Sequence, residues 1–190
     1  MGLISKKREH MQYTKQKEQE KEFIEKVIQI DRISRTVKGG RRIRFRALVV
    51  VGNQAGRVGI GVAKAQEVVS AISKAVNVAK KNMLDIEIKN ETVPHELKIK
   101  QGSSIVFLKP ARKGTSIIAG GSVRAVLELA GIKNVVAKIL GSSNKINNVQ
   151  TTFEALKYFK QTNLAENSKK IQKTSISTKK DKSIKKVVKK

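Results

Sequence analysis

Arg32-Ile33-Ser34-Arg35-Thr36-Val37-Lys38-Gly39-Gly40-Arg41-Arg42-Ile43-Arg44-Phe45-Arg46 is the stretch that decides the fold. Seven of its fifteen residues are basic and none is acidic. Alternation runs up to Lys38, breaks at two glycines, and resumes after them. That pattern predicts two antiparallel strands joined by a turn over residues 38–42. On the second strand, Arg42, Arg44 and Arg46 share one face, and Ile43, Phe45 and Ala47 share the other. The expectation is a hairpin with one core face and one cationic face. Arginine suits the cationic role because its guanidinium fork meets two phosphate oxygens at once. An ordinary solvated strand face is the alternative, but such faces mix signs.

Outward from this hairpin the pattern stays regular. Strands are expected over residues 27–37, 43–52 and 57–63, with a turn at Gly52-Asn53-Gln54-Ala55-Gly56. Val68, Ile72, Ala75, Val76 and Ala79 recur at helical spacing, which predicts an amphipathic helix over residues 65–82. Residues 85–96, containing Pro94, read as a link. Beyond it, strands are expected at 97–100, 104–108 and 134–140. Ser122 reads as the N-cap of a helix carrying Val123, Val126 and Leu127 and stopped by Gly131. A last helix over 147–159 shows Val149, Phe153, Leu156 and Phe159 on one face. The fold class is therefore α+β: a three-stranded antiparallel sheet with a helix, then a unit alternating strands and helices. The expected division is a charged arm (1–26), an RNA-binding-like domain (27–90), an α/β domain (91–160) and a basic tail (161–190). Neither end carries enough apolar residues to build a core, so both read as disordered or weakly structured.

Composition narrows the function. Forty-one Lys and Arg face 15 Asp and Glu, a formal charge of +26 over 190 residues. A chain so charged repels itself and calls for a polyanion. Only 4% of the residues are aromatic and there is no Trp, which argues against base-stacking platforms and interfacial membrane helices. Cysteine is absent, so thiolate metal sites and thiolate nucleophiles are excluded. No apolar run approaches the length of a membrane span. Phosphate contact with RNA in the cytoplasm is the reading that remains.

Catalytic and cofactor signals are weak. His10 and His95 have no carboxylate constellation or metal-ligand spacing around them, and a lone linker histidine is usually incidental. No cofactor, metal or catalytic residue is expected. Gly52, Gly56, Gly59 and Gly61 have the wrong spacing for a dinucleotide fingerprint, and no Lys-Ser/Thr pair follows them. Gly59 and Gly61 read instead as strand glycines that admit a neighbouring backbone. The loop from Arg112 and Lys113 through Thr115 and Ser116 to Gly120-Gly121 enters a helix N-terminus, where free N–H groups attract anions. A small phosphate or an RNA phosphate would fit; the charge of the chain favours RNA.

Four runs occur together and in order. They are residues 32–41, residues 51–61 (Val-Gly-Asn-Gln-Ala-Gly-Arg-Val-Gly-Ile-Gly), residues 114–121 with Arg124-Ala125-Val126-Leu127-Glu128, and Gly141-Ser142-Ser143-Asn144. Over residues 22–160 the sequence resembles the bacterial small-subunit ribosomal protein five family. That resemblance implies a first domain similar to double-stranded RNA-binding domains and a second with a left-handed βαβ crossover, against the usual hand. It implies a structural role at the head–body junction of the small subunit, with an influence on decoding accuracy. Implied partners are small-subunit rRNA, ribosomal proteins four and eight, and protein three near the messenger RNA entry, with no homo-oligomer. It also implies that the loop over residues 34–42 lies near the spectinomycin pocket.

The basic run and the matched motifs set the expected RNA-contacting residues. On the hairpin they are Arg32, Ser34, Arg35, Thr36, Lys38, Gly39, Gly40, Arg41, Arg42, Arg44 and Arg46. On the next turn and strand they are Asn53, Arg57 and Lys64. In the second unit they are Arg112, Lys113, Thr115, Gly120, Gly121, Ser142, Ser143 and Asn144. Two rivals come from other classes: a free-standing double-stranded RNA-binding regulator, and a small-molecule phosphotransferase, since the second domain's fold is shared with some kinases.

Overall fold

The computed structural model describes residues 23–86, 88 and 90–159. The arm before residue 23 and the tail after 159 lie outside the described residues.

The first unit is a four-stranded antiparallel sheet in the order β1-β2-β3-β4 with one helix. Strands β1 (Ile24–Val37) and β2 (Gly40–Gly52) form the long hairpin. Strand β3 (Arg57–Ala65) and helix α1 (Val68–Lys81) follow. Strand β4 (Met83–Asp85) pairs with β3 and was not expected; three residues are too few to show alternation. The hairpin turn is tighter than the glycine spacing suggested. Val37 pairs with Gly40, leaving only Lys38 and Gly39 between the strands, and Gly39 has φ +93. A positive φ at the second central residue is the requirement of a type II turn, which glycine meets without strain.

The second unit is a mixed sheet in the order β5-β6-β8-β7. Strands β5 (Leu97–Gln101) and β6 (Ser104–Pro110) are antiparallel. The two-residue strand β7 (Ile117–Ile118) lies hidden in the glycine-rich loop and pairs in parallel with β8 (Val135–Leu140). Helix α2 (Gly121–Ala130) connects them, making a β7-α2-β8 unit. Helix α3 covers residues 145–159.

Three layers result. The odd residues of inner β2, Ala47, Val49 and Val51, pack on Ala71, Ala75 and Ala79 of α1. The even residues, Leu48 and Val50, join one cluster with Val126, Leu127 and Leu129 of α2. The first sheet is thus the middle layer, covered by α1 on one face and by the second unit on the other. Glycines make both approaches possible. A Cβ on Gly61 would stand 2.0 Å from the Ala75 carbonyl oxygen, and one on Gly59 2.3 Å from that of Ala79. This is the close backbone approach expected of these strand glycines. On the other side, the Gln54 and Gly56 N–H groups donate to the Leu129 and Ala130 carbonyls at the end of α2. The last turn of a helix lacks intrahelical donors, so the β2–β3 turn supplies them.

Ser122 is not the N-cap of α2. The helix begins at Gly121, two residues earlier than that cap implies; Gly120 occupies the cap position, and no side chain caps it. A Cβ on Gly120 would lie 2.6 Å from Ile139 Cδ1, so a larger residue there would make the Ile139 side chain shift. His95 has a packing role: its ring meets Phe159 edge-on at 5.1 Å.

Candidate nucleic-acid interface

The register of β1 and β2 decides which side chains share a face. Arg35 stands opposite Arg42, Ile33 opposite Arg44, and Asp31 opposite Arg46. On the reverse face, Thr36 stands opposite Arg41, and Arg32 opposite Phe45. Cations therefore occupy both faces of the hairpin tip. This corrects the expectation of one apolar and one cationic face. Ile43, expected in the core, is 44% exposed, because neither α1 nor the second unit reaches that far along the strands.

From residue 38 to 44 every side chain is exposed. Arg32, Arg35, Lys38, Arg41, Arg42 and Arg44 form no ion pair among the described residues. Like charges directly opposite across a ladder destabilise it, so Arg35 and Arg42 store repulsion that a polyanion would relieve. Ser34 and Thr36 add exposed hydroxyls on the reverse face. Gly39 and Gly40 leave open space where a Cβ would stand, so backbone can approach a ligand closely.

Arg46 differs from its neighbours. Its guanidinium donates to the Asp31 carboxylate at 2.7 and 3.1 Å. The Arg46 hydrogen bonds, then the one from Gln29, hold the Asp31 carboxyl below the usual carboxylate range, with a smaller contribution from Lys145. Asp31 sits just outside the acid-free run, and only the strand register brings it to Arg46. Lys64 lies opposite Arg46 on β3, extends the same row, and forms no ion pair among the described residues.

The remaining expected residues fall into separate places. Asn53 and Arg57 sit at the other end of the sheet. The Asn53 side-chain oxygen accepts the Ala55 and Arg57 N–H groups, and Arg57 pairs with Asp85 at 2.9 Å. In the second unit, the Gly114 N–H donates to the Asn134 side-chain oxygen and the Thr115 N–H to the Arg112 carbonyl. These two loop amides are thus engaged within the fold. Arg112 and Lys113 are exposed at the same loop, and Lys113 feels the carboxylate of Glu91. Asn144 caps α3 by accepting the Ile146 N–H, and the Ser142 hydroxyl accepts the Asn144 N–H. Gly121 and Ser143 come together at one cavity, beside Lys145. Lys145 was missed by sequence reading because no basic run surrounds it.

Two family models match. Residues 23–87 match "Ribosomal protein S5, N-terminal domain", and residues 99–170 match "Ribosomal protein S5, C-terminal domain". The chain belongs to the ribosomal protein S5 family. Among its relatives, the small ribosomal subunit protein uS5 of Picosynechococcus sp. is 49% identical over 144 residues, covering 75% of this chain and 83% of the relative. That of Thermosynechococcus vestitus is 51% identical over 140 residues, covering 73% and 80%. The two-domain α+β architecture described above is consistent with the family's. Among the described residues there is no cluster of His, Cys, Asp or Glu that could hold a metal. None of the described helices is long and apolar enough to cross a membrane.

Proposed function

We propose that this protein is a structural constituent of the small ribosomal subunit and that its β1–β2 hairpin clamps rRNA at the head–body junction. The observation that carries this reading is the hairpin tip: exposed cations on both faces, none paired, projecting beyond both covering layers. A two-sided strip fits a segment inserted between RNA elements, with phosphates on either side. A one-sided strip would lie on a single surface. Ribosomal proteins four and eight, and protein three near the messenger RNA entry, are its neighbours in this reading, and the rigid hairpin supports decoding accuracy. Catalysis has no part in it.

Sucrose-gradient sedimentation of the native protein tests the proposal. It should travel with small-subunit particles and be stripped from them by high salt, because phosphate contacts release counterions. A protein that stays at the top of the gradient, bound to generic duplex RNA, would instead be a free-standing regulator.

A further inference from the structure

The N-terminus of α2 borders a cavity of about 510 Å³ between β1 and the second unit. Its floor is aliphatic, formed by Val27, Ile28, Ala125 and Ile139. Three features of its rim point to a ligand. The first is Ser122, which lines the cavity, is only 7% exposed, and has a hydroxyl with no hydrogen-bond partner among the described residues. Buried hydroxyls nearly always have a partner, so this one calls for something outside the chain. The second is the helix end itself. Gly120 offers no side-chain cap, so the first N–H groups of α2 have no capping side chain, and Gly121 and Ser122, which carry two of them, line the cavity. Gly121 has open space at its Cβ position, so nothing hinders approach to those groups. The third is charge. Lys145, the first residue of α3, lines the same cavity and forms no ion pair among the described residues. Lys26 also lines it, although its ammonium is held by Glu128 at 2.8 Å. Asn148 is occupied: it accepts from Ser104 and donates to the Ser142 carbonyl.

We infer that this cavity binds a phosphate group. The phosphate oxygens accept the first N–H groups of α2 and the Ser122 hydroxyl, and Lys145 supplies the opposing charge. The site is separate from the hairpin tip. It rests on the ribosomal reading only for the source of the phosphate, an RNA backbone or free inorganic phosphate.

Titration of isotope-labelled full chain with inorganic phosphate, followed by amide resonances at constant ionic strength, tests the inference. Gly121, Ser122 and Val123 should shift and saturate. Ser122→Ala should weaken binding about tenfold or more, the loss of one hydrogen bond to a charged group, without lowering Tm. Lys145→Gln, on the surface, should weaken it comparably. A short RNA duplex that displaces phosphate from these amides identifies an RNA backbone site; one that leaves them unchanged identifies a free-phosphate site. No saturable shift with either probe, or equal affinity in wild type and both variants, overturns the inference. The hairpin variant Arg41→Gln, Arg42→Gln, Arg44→Gln separates the two readings. It should keep phosphate binding at α2 whatever happens to its sedimentation with the subunit.

Discussion

The two halves of the β1–β2 hairpin use the same strands for opposite ends. In β2, residues 47–52 are buried on both faces, while residues 40–44 are exposed on both. Residues 45–52 pair with β3 as well as β1, whereas residues 40–44 pair with β1 alone. The inner half is apolar and runs between α1 and the second unit; the outer half is basic and runs past them. A strand buried on both faces becomes a near-continuous apolar run, as Ala47-Leu48-Val49-Val50-Val51 is. A strand exposed on both faces needs charge to avoid pairing with other chains, and the arginines supply it. The inner half therefore anchors the protein and the outer half is free to bind.

That division predicts which property each substitution alters. Leu48→Ala should lower stability by about 3–4 kcal/mol, because it opens a cavity where two layers meet. Urea unfolding measures this, and a loss under 1 kcal/mol would mean the interface between the units collapses around the gap.

Replacing Arg41, Arg42 and Arg44 together by Gln should leave the far-ultraviolet circular dichroism and Tm unchanged or slightly raised, since cross-strand repulsion is relieved. Its affinity for rRNA should fall about 100-fold at moderate salt, with a shallower salt dependence. Unfolding of this variant would contradict the exposure of the tip, and unchanged salt dependence would move the RNA contact elsewhere.

Gly40→Asp acts on the tip alone. Gly40 has φ +146, a conformation L-residues rarely adopt, so the change adds strain of about 1–2 kcal/mol and a negative charge. The inner core should stay folded. If the loop lies near the drug pocket, as the family resemblance implies, a strain carrying this change should assemble subunits almost normally and grow at raised spectinomycin. Full drug sensitivity would place the loop away from that pocket.

Asp31→Asn, at the boundary of the two halves, should lower stability by about 1 kcal/mol at neutral pH. The Asp31 carboxyl titrates below its ordinary range in the folded protein. Its contribution is therefore present above the ordinary carboxylate pKa and lost as pH falls through the folded value. Wild type and variant should differ at neutral pH and converge in strong acid. The variant also frees Arg46, so its RNA affinity should rise. A stability difference that persisted unchanged into strong acid would show that the ion pair is not its source.

Much of this was legible in the residues alone. Alternation located the long strands, helical spacing located α1 and α3, and the family motifs located both units. Gly59 and Gly61 were readable because a strand glycine has few reasons to exist other than close approach. Four things were not legible, and all depend on contacts distant in sequence. Strands β4 and β7 are too short to carry a period and exist only because β3 and β8 offer them partners. The exposure of Ile43 depends on where α1 and the second unit stop. The pairing of Arg46 with Asp31 depends on a register set fifteen residues away in the chain. The cavity at Ser122 arises where β1, α2 and α3 meet. Sequence periodicity determines local conformation, because each residue's neighbours along the chain set its rotation. Only tertiary packing decides which faces are covered and which cations remain free, because burial is a property of whatever arrives from elsewhere.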